Sequence, residues 1–246
     1  MKSVIIIPAR LASTRLPNKV LLDIEGLPMI IRVAKQALKS SIKDVFIACG
    51  DKEIYDIAKS HNLNAILTDA NLPSGTDRIW QAYGKIGKKY DIIINLQGDL
   101  PLLDPKNIDD VLEAIKNNNC DIATLANPIS LRQEVENPNI VKIAIAFINK
   151  TVGNALYFSR SPIPYSKNND EYYHHIGIYA YRASALEKFV SLKPSVLEKR
   201  ESLEQLRALE NGMKIVVKIT NSFPLGVDTK EDLDKVRQIL QNKNNG

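Results

Sequence analysis

The sequence predicts an α/β protein built on a mostly parallel mixed sheet with helices on both faces. Through the first half of the 246 residues, short apolar runs bounded by turn residues alternate with amphipathic helical patterns, the signature of a sheet whose parallel strands are joined through helices. From about residue 127 the pattern becomes strand-rich, as expected of an inserted antiparallel lobe. A chain of this length can bury a full core. The expected organisation is a single domain, 1–246, with an elaboration at about 127–182.

The elements follow in order. Strand 4–7 is continuously apolar, and helix 29–39 carries Met29, Ile30, Val33, Ala34, Ala37 and Leu38 on one stripe, with Pro28 suited to its opening position. Strands 45–48, 65–67, 92–96 and 122–125 then alternate with helices 52–61, 77–86 and 106–117. In the second half, strands 140–147, 155–159 and 176–181 enclose a polar stretch at 166–171. Helices are expected at 183–192 and 197–210, a strand at 214–219, and a last helix from Thr229. Thr229 to Asp232 reads as a capping box with Asp in place of the usual Glu or Gln, and 241–246 as a frayed tail.

Composition narrows the class of partner. Lys and Arg outnumber Asp and Glu by 33 to 28, a formal charge of +5, which suits a small anionic substrate. The basic residues are scattered in ones and twos, with no stripe interleaved with aromatics, so nucleic acid is not expected as a partner. Cys49 and Cys120 form no C-x-x-C and have no histidine cluster beside them, and they read as reduced core thiols. The sequence has no leader pattern and no apolar run near the length of a membrane span. The expectation is a cytoplasmic enzyme that does not enter the membrane.

The most informative segment is the basic loop after the first strand, where Arg10, Arg15 and Lys19 are interleaved with the hydroxyls of Ser13 and Thr14. In open α/β sheets ligands bind outside the carboxyl ends of the strands. From Ser3 to Glu25 there is no glycine, so neither the dinucleotide fingerprint nor the P-loop is present. Cationic side chains would have to neutralise a polyphosphate instead, unless the loop is simply a solvated basic surface. Strand 92–96 leads into Gln97-Gly98-Asp99, where the carboxylate either holds a hard cation or makes an Asx-turn. Gly226-Val227-Asp228-Thr229 offers a second carboxylate, or merely a helix cap. Two such carboxylates from distant positions converging on one cation would form a nucleotidyl-transfer site. Ser74, Gly75 and Thr76 could cap a helix or meet an anion, and Arg78 in the same turn is poorly explained by capping.

Read together, IIPAR-LASTRLPNK, SGTDR, NLQGD, ALYFSRSPIP, HIGIYAYR, LEQLRALENG and GVDT resemble, in order and across nearly the whole chain, the 3-deoxy-manno-octulosonate cytidylyltransferase family. The resemblance implies a GT-A-like nucleotidyltransferase fold, a homodimer, and magnesium-dependent transfer of CMP from CTP to a 3-deoxy-2-ulosonic acid for lipopolysaccharide synthesis. It implies phosphate roles for Arg10, Ser13, Arg15 and Lys19, and a cytidine environment of Pro8, Ala9, Ser74 and Gly75. Asp99 and Asp228 match the magnesium carboxylates. Arg78, Gln97, Arg160, His175, Tyr181, Glu204 and Gln205 match sugar-side positions. For His175 the alternative is a hydrogen-bonded structural residue, and for Glu204 and Gln205 the polar face of a packed helix.

Two departures bear on metal affinity and base choice. Leu100 stands where the family has Glu, and Ala48-Cys49-Gly50-Asp51 replaces an Ala-Thr-Asp run. Competing readings are CMP activation of another ulosonic acid, such as 8-amino-KDO or a sialic acid, and a catalytically silent nucleotide-binding protein.

Overall fold

The computed structural model describes residues 1–13, 16–167, 171–222 and 224–244. The chain divides into two compact units, one formed by 1–108 with 224–246 and the other by 109–223.

The first unit is a parallel sheet with its helices. Its strands are β1 (Ser3–Ala9), β4 (Val45–Cys49), β5 (Asn64–Leu67) and β6 (Ile92–Asn95), hydrogen-bonded in the order β5-β4-β1-β6. A short hairpin of β2 (Asp23–Ile24) and β3 (Leu27–Pro28) precedes the first helix. Val4 to Ile7 are fully buried, as a central strand covered on both faces requires, and this explains their unbroken apolar run. Helix α1 (Met29–Ala37) buries Met29, Ile30, Val33, Ala34 and Ala37 of its stripe, while Leu38, its C-cap, is half-buried. Pro28 is its N-cap, and the helix ends two residues before the expected position. Helices α2 (Lys52–Ser60) and α3 (Gly75–Lys85) follow the pattern expected of them. The last helix of the chain, α9 (Lys230–Asn244), runs through most of the stretch expected to fray. Its start packs into this unit: Val227, Leu233 and Val236 are buried in one cluster with Ile24 and Met29.

The second unit is mixed. Its strands are β7 (Ile122–Pro128), β8 (Lys142–Phe147), β9 (Val152–Ser159), β10 (Tyr173–Arg182) and β11 (Ile215–Ile219). Only β7 and β11 pair in parallel; β10 runs antiparallel to β7, and β9 antiparallel to both β11 and β8. The strand-rich stretch of the sequence is thus an antiparallel surround to one parallel pair. A register shift between Ile176 and Tyr179 marks a bulge in β10. The boundary between units falls within α4 (Pro105–Asn117), and α5 (Arg132–Glu136) is a short helix with no sequence signal. Helix α6 (Ala183–Ser191) is as expected. The helix expected over 197–210 is two, α7 (Val196–Glu201) and α8 (Gln205–Glu210), because Ser202 turns into the left-handed region at φ 53°. Among the described residues, no helix is long and apolar enough to cross a membrane.

Candidate active site

The parallel strands of the first unit end at a cavity of about 600 Å³. Its wall gathers Pro8, Ala9, Arg10, Ser13 and Lys19 from the loop after β1, Ser74, Gly75 and Arg78 from the start of α3, Gln97 and Asp99 from the turn after β6, and Asp228 from the turn before α9. Every described residue expected to handle the nucleotide or the metal therefore lines one cavity. Arg15 lies outside the described residues. Ala12, Val20 and Gly98 also line the wall; being small or apolar, Ala12 and Val20 carried no chemical signal in the sequence.

Backbone geometry explains how the acid pair forms. Asp99 leaves the buried strand β6 by way of Gly98, where a Cβ would lie 3.0 Å from Ile30 Cδ1 and 3.2 Å from the Pro8 carbonyl oxygen. Glycine lets the two strand ends approach this closely without the neighbours having to give way. The Val227 N–H donates to the Asp99 carbonyl oxygen at 2.9 Å, fixing the two acidic turns side by side. The expected capping box is present: the Asp232 N–H donates to Thr229 Oγ1 at 3.2 Å, and Asp232 Oδ2 accepts from the Asp228 and Thr229 N–H groups at 3.1 and 3.0 Å. Although burial opposes it, those donors hold the Asp232 carboxyl below its ordinary pKa.

Lys19 occupies the gap between the two acids. Asn18, at φ 52°, opens a single 3₁₀ turn over Lys19–Leu21 that buries Val20 and turns the Lys19 side chain inward. Nζ donates to Asp99 Oδ2 at 2.8 Å and to Asp228 Oδ1 at 2.9 Å. Burial works against the ammonium, but the two carboxylates outweigh it and raise its pKa above the ordinary value. No group of three or more His, Cys, Asp or Glu side chains suited to a metal occurs among the described residues. A divalent ion here would take its protein ligands from two carboxylates and the rest from phosphate oxygens and water, a donor set that fits magnesium.

The positive wall is braced from behind. The Leu11 N–H donates to Asp51 Oδ2 at 2.8 Å, anchoring the basic loop. Arg78 is only 2 % exposed, and its guanidinium donates to Thr68 Oγ1 at 2.6 Å and to the carbonyl oxygens of Asp69 at 2.9 Å and Ala70 at 3.3 Å. Burial first, then the proximity of Arg10, draws the Arg78 pKa down. Two guanidinium groups held near each other make this wall attractive to an anion. The guanidinium also lies against Gly50, where a Cβ would come within 2.6 Å of Nη1. The Cys49-Gly50-Asp51 departure thus has a structural role on both sides: glycine admits Arg78, and the acid holds the loop. Leu100 is 8 % exposed beside Gly226, so the position where the resemblance expects Glu holds a buried apolar contact. Ser74 is the N-cap of α3, accepting from the Asp77 N–H at 3.1 Å while facing the cavity.

The remaining sugar-side candidates lie in the second unit. Arg160 is tied to backbone: Nε donates to the Glu201 carbonyl oxygen at 2.7 Å and Nη1 to that of Pro138 at 3.0 Å. Its own carbonyl oxygen accepts from Lys142 Nζ at 2.6 Å, and the Lys142 ammonium is also bonded to the carbonyl oxygens of Asn137 and Ile140. His175 is buried, with Nε2 3.1 Å from Thr124 Oγ1 and its ring against the edge of Phe158. Tyr181 and Gln205 are buried, and Glu204 lies 3.8 Å from the Arg207 guanidinium. A second cavity, of about 350 Å³, lies in this unit beside Leu131, Arg132, Glu136 and Tyr172; none of the expected site residues lines it.

A parallel sheet whose strand ends present a basic loop and an acid pair, with a mixed elaboration inserted between α4 and α9, defines a nucleotidyltransferase of the α/β class. A family described as "Cytidylyltransferase" matches residues 4–215. The 3-deoxy-manno-octulosonate cytidylyltransferase of Paramagnetospirillum magneticum is 46 % identical over 97 % of both chains. That of Sinorhizobium medicae is 49 % identical over 97 % of this chain and 96 % of its own. The solved structure of CMP:2-keto-3-deoxy-manno-octonic acid synthetase complexed with CTP superposes with a TM-score of 0.92 at 39 % identity, over 99 % of this chain and all of that one. A cytidylyltransferase from Leptospira borgpetersenii, 19 % identical over 100 % of this chain and 96 % of its own with a TM-score of 0.63, shares the fold. The chain belongs to the 3-deoxy-manno-octulosonate cytidylyltransferase family.

Proposed function

We propose that the protein transfers CMP from CTP to the anomeric hydroxyl of 3-deoxy-manno-octulosonate, forming CMP-KDO for lipopolysaccharide synthesis and releasing pyrophosphate. The observation that carries the reading is the convergence of Asp99 and Asp228 on the Lys19 ammonium, in the same cavity as Arg10 and Ser13. The hydroxyl oxygen bonds to the α-phosphorus, the bond to the β-phosphate bridging oxygen breaks, and the hydroxyl proton leaves to solvent. The protein's part is positioning and neutralisation of charge. Arg10 and Lys19 grip the triphosphate, and Ser13 donates a hydrogen bond to it; Arg15 belongs to the same set on the resemblance. Pro8, Ala9, Ser74 and Gly75 form the cytidine side, where a Cβ added at Gly75 would lie 3.4 Å from Pro8 Cγ.

Magnesium is the proposed cofactor, with Asp99 and Asp228 as its protein ligands. Bound there, it would neutralise charge on the α-phosphate and orient the incoming hydroxyl. Arg78, Gln97, Arg160, His175, Tyr181, Glu204 and Gln205 are proposed for the sugar side on the resemblance. Of these, Arg78 donates to Thr68 and to backbone carbonyl oxygens, and His175 is packed among Thr124, Phe158 and Tyr179, so each would serve the sugar side by bracing its neighbours. A homodimer and a cytoplasmic location complete the reading.

The test is pyrophosphate release from CTP with 3-deoxy-manno-octulosonate, 8-amino-KDO and a sialic acid, each with magnesium and with EDTA. Release with the first substrate and magnesium is expected. Preference for another ulosonic acid would move the substrate assignment, and CTP binding without release would support a silent nucleotide-binding protein.

A further inference from the structure

The Lys19 ammonium stands at the point where the two proposed metal carboxylates converge, 2.8 Å from Asp99 Oδ2 and 2.9 Å from Asp228 Oδ1. Its side chain is 13 % exposed, against 29 % and 45 % for the acids, so the cation is the most enclosed member of the trio. An ammonium and a divalent ion cannot share that point: placed a few ångströms apart in a half-buried site, they would repel strongly. Nor can the ammonium leave without cost, because a charge withdrawn from its partners inside a protein must find others. The triphosphate is such a partner, and the cavity brings it to the loop that carries Lys19.

We propose that Lys19 is a tethered counter-cation that occupies the acid pair in the resting enzyme and is handed to the triphosphate when metal and nucleotide bind together. This rests on the reading of Asp99 and Asp228 as the metal ligands. In the resting state the ammonium keeps two facing carboxylates from repelling each other. Metal arriving alone must evict it with no anion to receive it, so the free enzyme binds metal weakly. CTP supplies the receiving anion at the moment the metal supplies a replacement cation. Each ligand then strengthens the other by the same factor, as linkage requires. The flexible four-carbon stem of lysine suits it to the exchange, whereas arginine's rigid fork would not follow.

The test uses Mn²⁺ as a spin-visible stand-in for magnesium, titrated into the full chain and followed by electron paramagnetic resonance. The samples are the parent, Lys19→Met, Lys19→Ala and the double variant Asp99→Asn/Asp228→Asn, each without nucleotide and with CTP but no sugar. Without nucleotide, both Lys19 variants should bind Mn²⁺ at least about tenfold more tightly than the parent, the weight of one charged hydrogen bond no longer to be broken. Their CTP affinity should fall by a similar factor. Magnesium should also raise their melting temperature while leaving that of the nucleotide-free parent unchanged, a readout that also shows whether the variants are folded. Lys19 variants that bind Mn²⁺ no more tightly than the parent would overturn the exchange. Mn²⁺ binding in the presence of CTP that survives in the double Asn variant would instead overturn the metal site itself.

Discussion

Burial keeps His175 neutral far below the pH at which a free imidazole takes a proton: its pKa is pushed down to about 3 by burial and then by His174, while burial and Lys142 bring His174 to about 4. In the unfolded chain both would titrate near the ordinary histidine value. As pH falls below that value the unfolded state gains protons that the native state refuses. The two histidines should therefore lower stability progressively from the ordinary histidine pKa down to about 4 for His174 and about 3 for His175, and have no effect above that window. Urea midpoints measured from pH 8 to pH 4 on the parent and on His175→Asn should converge as pH drops; parallel curves would contradict this. A second prediction concerns Gly50, where a methyl group would lie 2.6 Å from an Arg78 nitrogen held by its own acceptors. Gly50→Ala should cost about 1–3 kcal/mol of stability by overpacking. An unchanged unfolding midpoint would mean that the guanidinium gives way. The sequence shows that Arg78 is out of place as a cap, but not where it goes. Its acceptors at Thr68, Asp69 and Ala70 belong to another loop, and only the folded chain brings them together. Lys19 was legible as a cation beside phosphate, and its seat between two acids was not, because Asp228 lies 209 residues away in sequence.

Elements with a strong apolar period were legible almost to the residue, as the buried face of α1 and the unbroken run of β1 illustrate. The break between α7 and α8 was hidden because the apolar positions Leu203 and Leu206 continue the period, while the interruption is made by backbone. Ser202 turns left-handed and the Leu203 N–H reaches back to the Glu198 carbonyl oxygen at 3.1 Å. Arg207 then bonds Glu198 across the break, through Nε at 2.9 Å and Nη2 at 2.5 Å. The capping box of α9 was legible because it is local chemistry within four residues. Removing its hydroxyl in Thr229→Ala should cost about 1 kcal/mol. Thr229→Ser, which keeps the oxygen, should recover most of the loss in a thermal melt; equal loss in both would place the effect in the methyl group instead.

For the whole molecule, the acid pair should behave as one device. Asp99→Asn and Asp228→Asn should each lower turnover by about 10²–10³, and the double change should cost far less than the product of the two if, as proposed, both act through one metal ion. Steady-state rates at saturating magnesium test this, and fully multiplicative losses would show the two acids working separately. At this scale the parallel strand pattern was legible, as was the change of character near residue 127. The division between Ile108 and Asp109 was not, because it falls inside α4, where no glycine or proline interrupts the helical pattern. Residues 224–246 return to the first unit after 115 residues of the second have intervened. On the ribosome, then, the amino-terminal sheet emerges well before Val227, Leu233 and Val236, which complete the cluster around Ile24 and Met29. A nascent chain stalled anywhere in the second unit carries Lys19 and Asp99 but no Asp228. Asp228 completes the cavity wall from far down the chain, so premature termination yields a chain that carries its basic loop but cannot complete its acid pair.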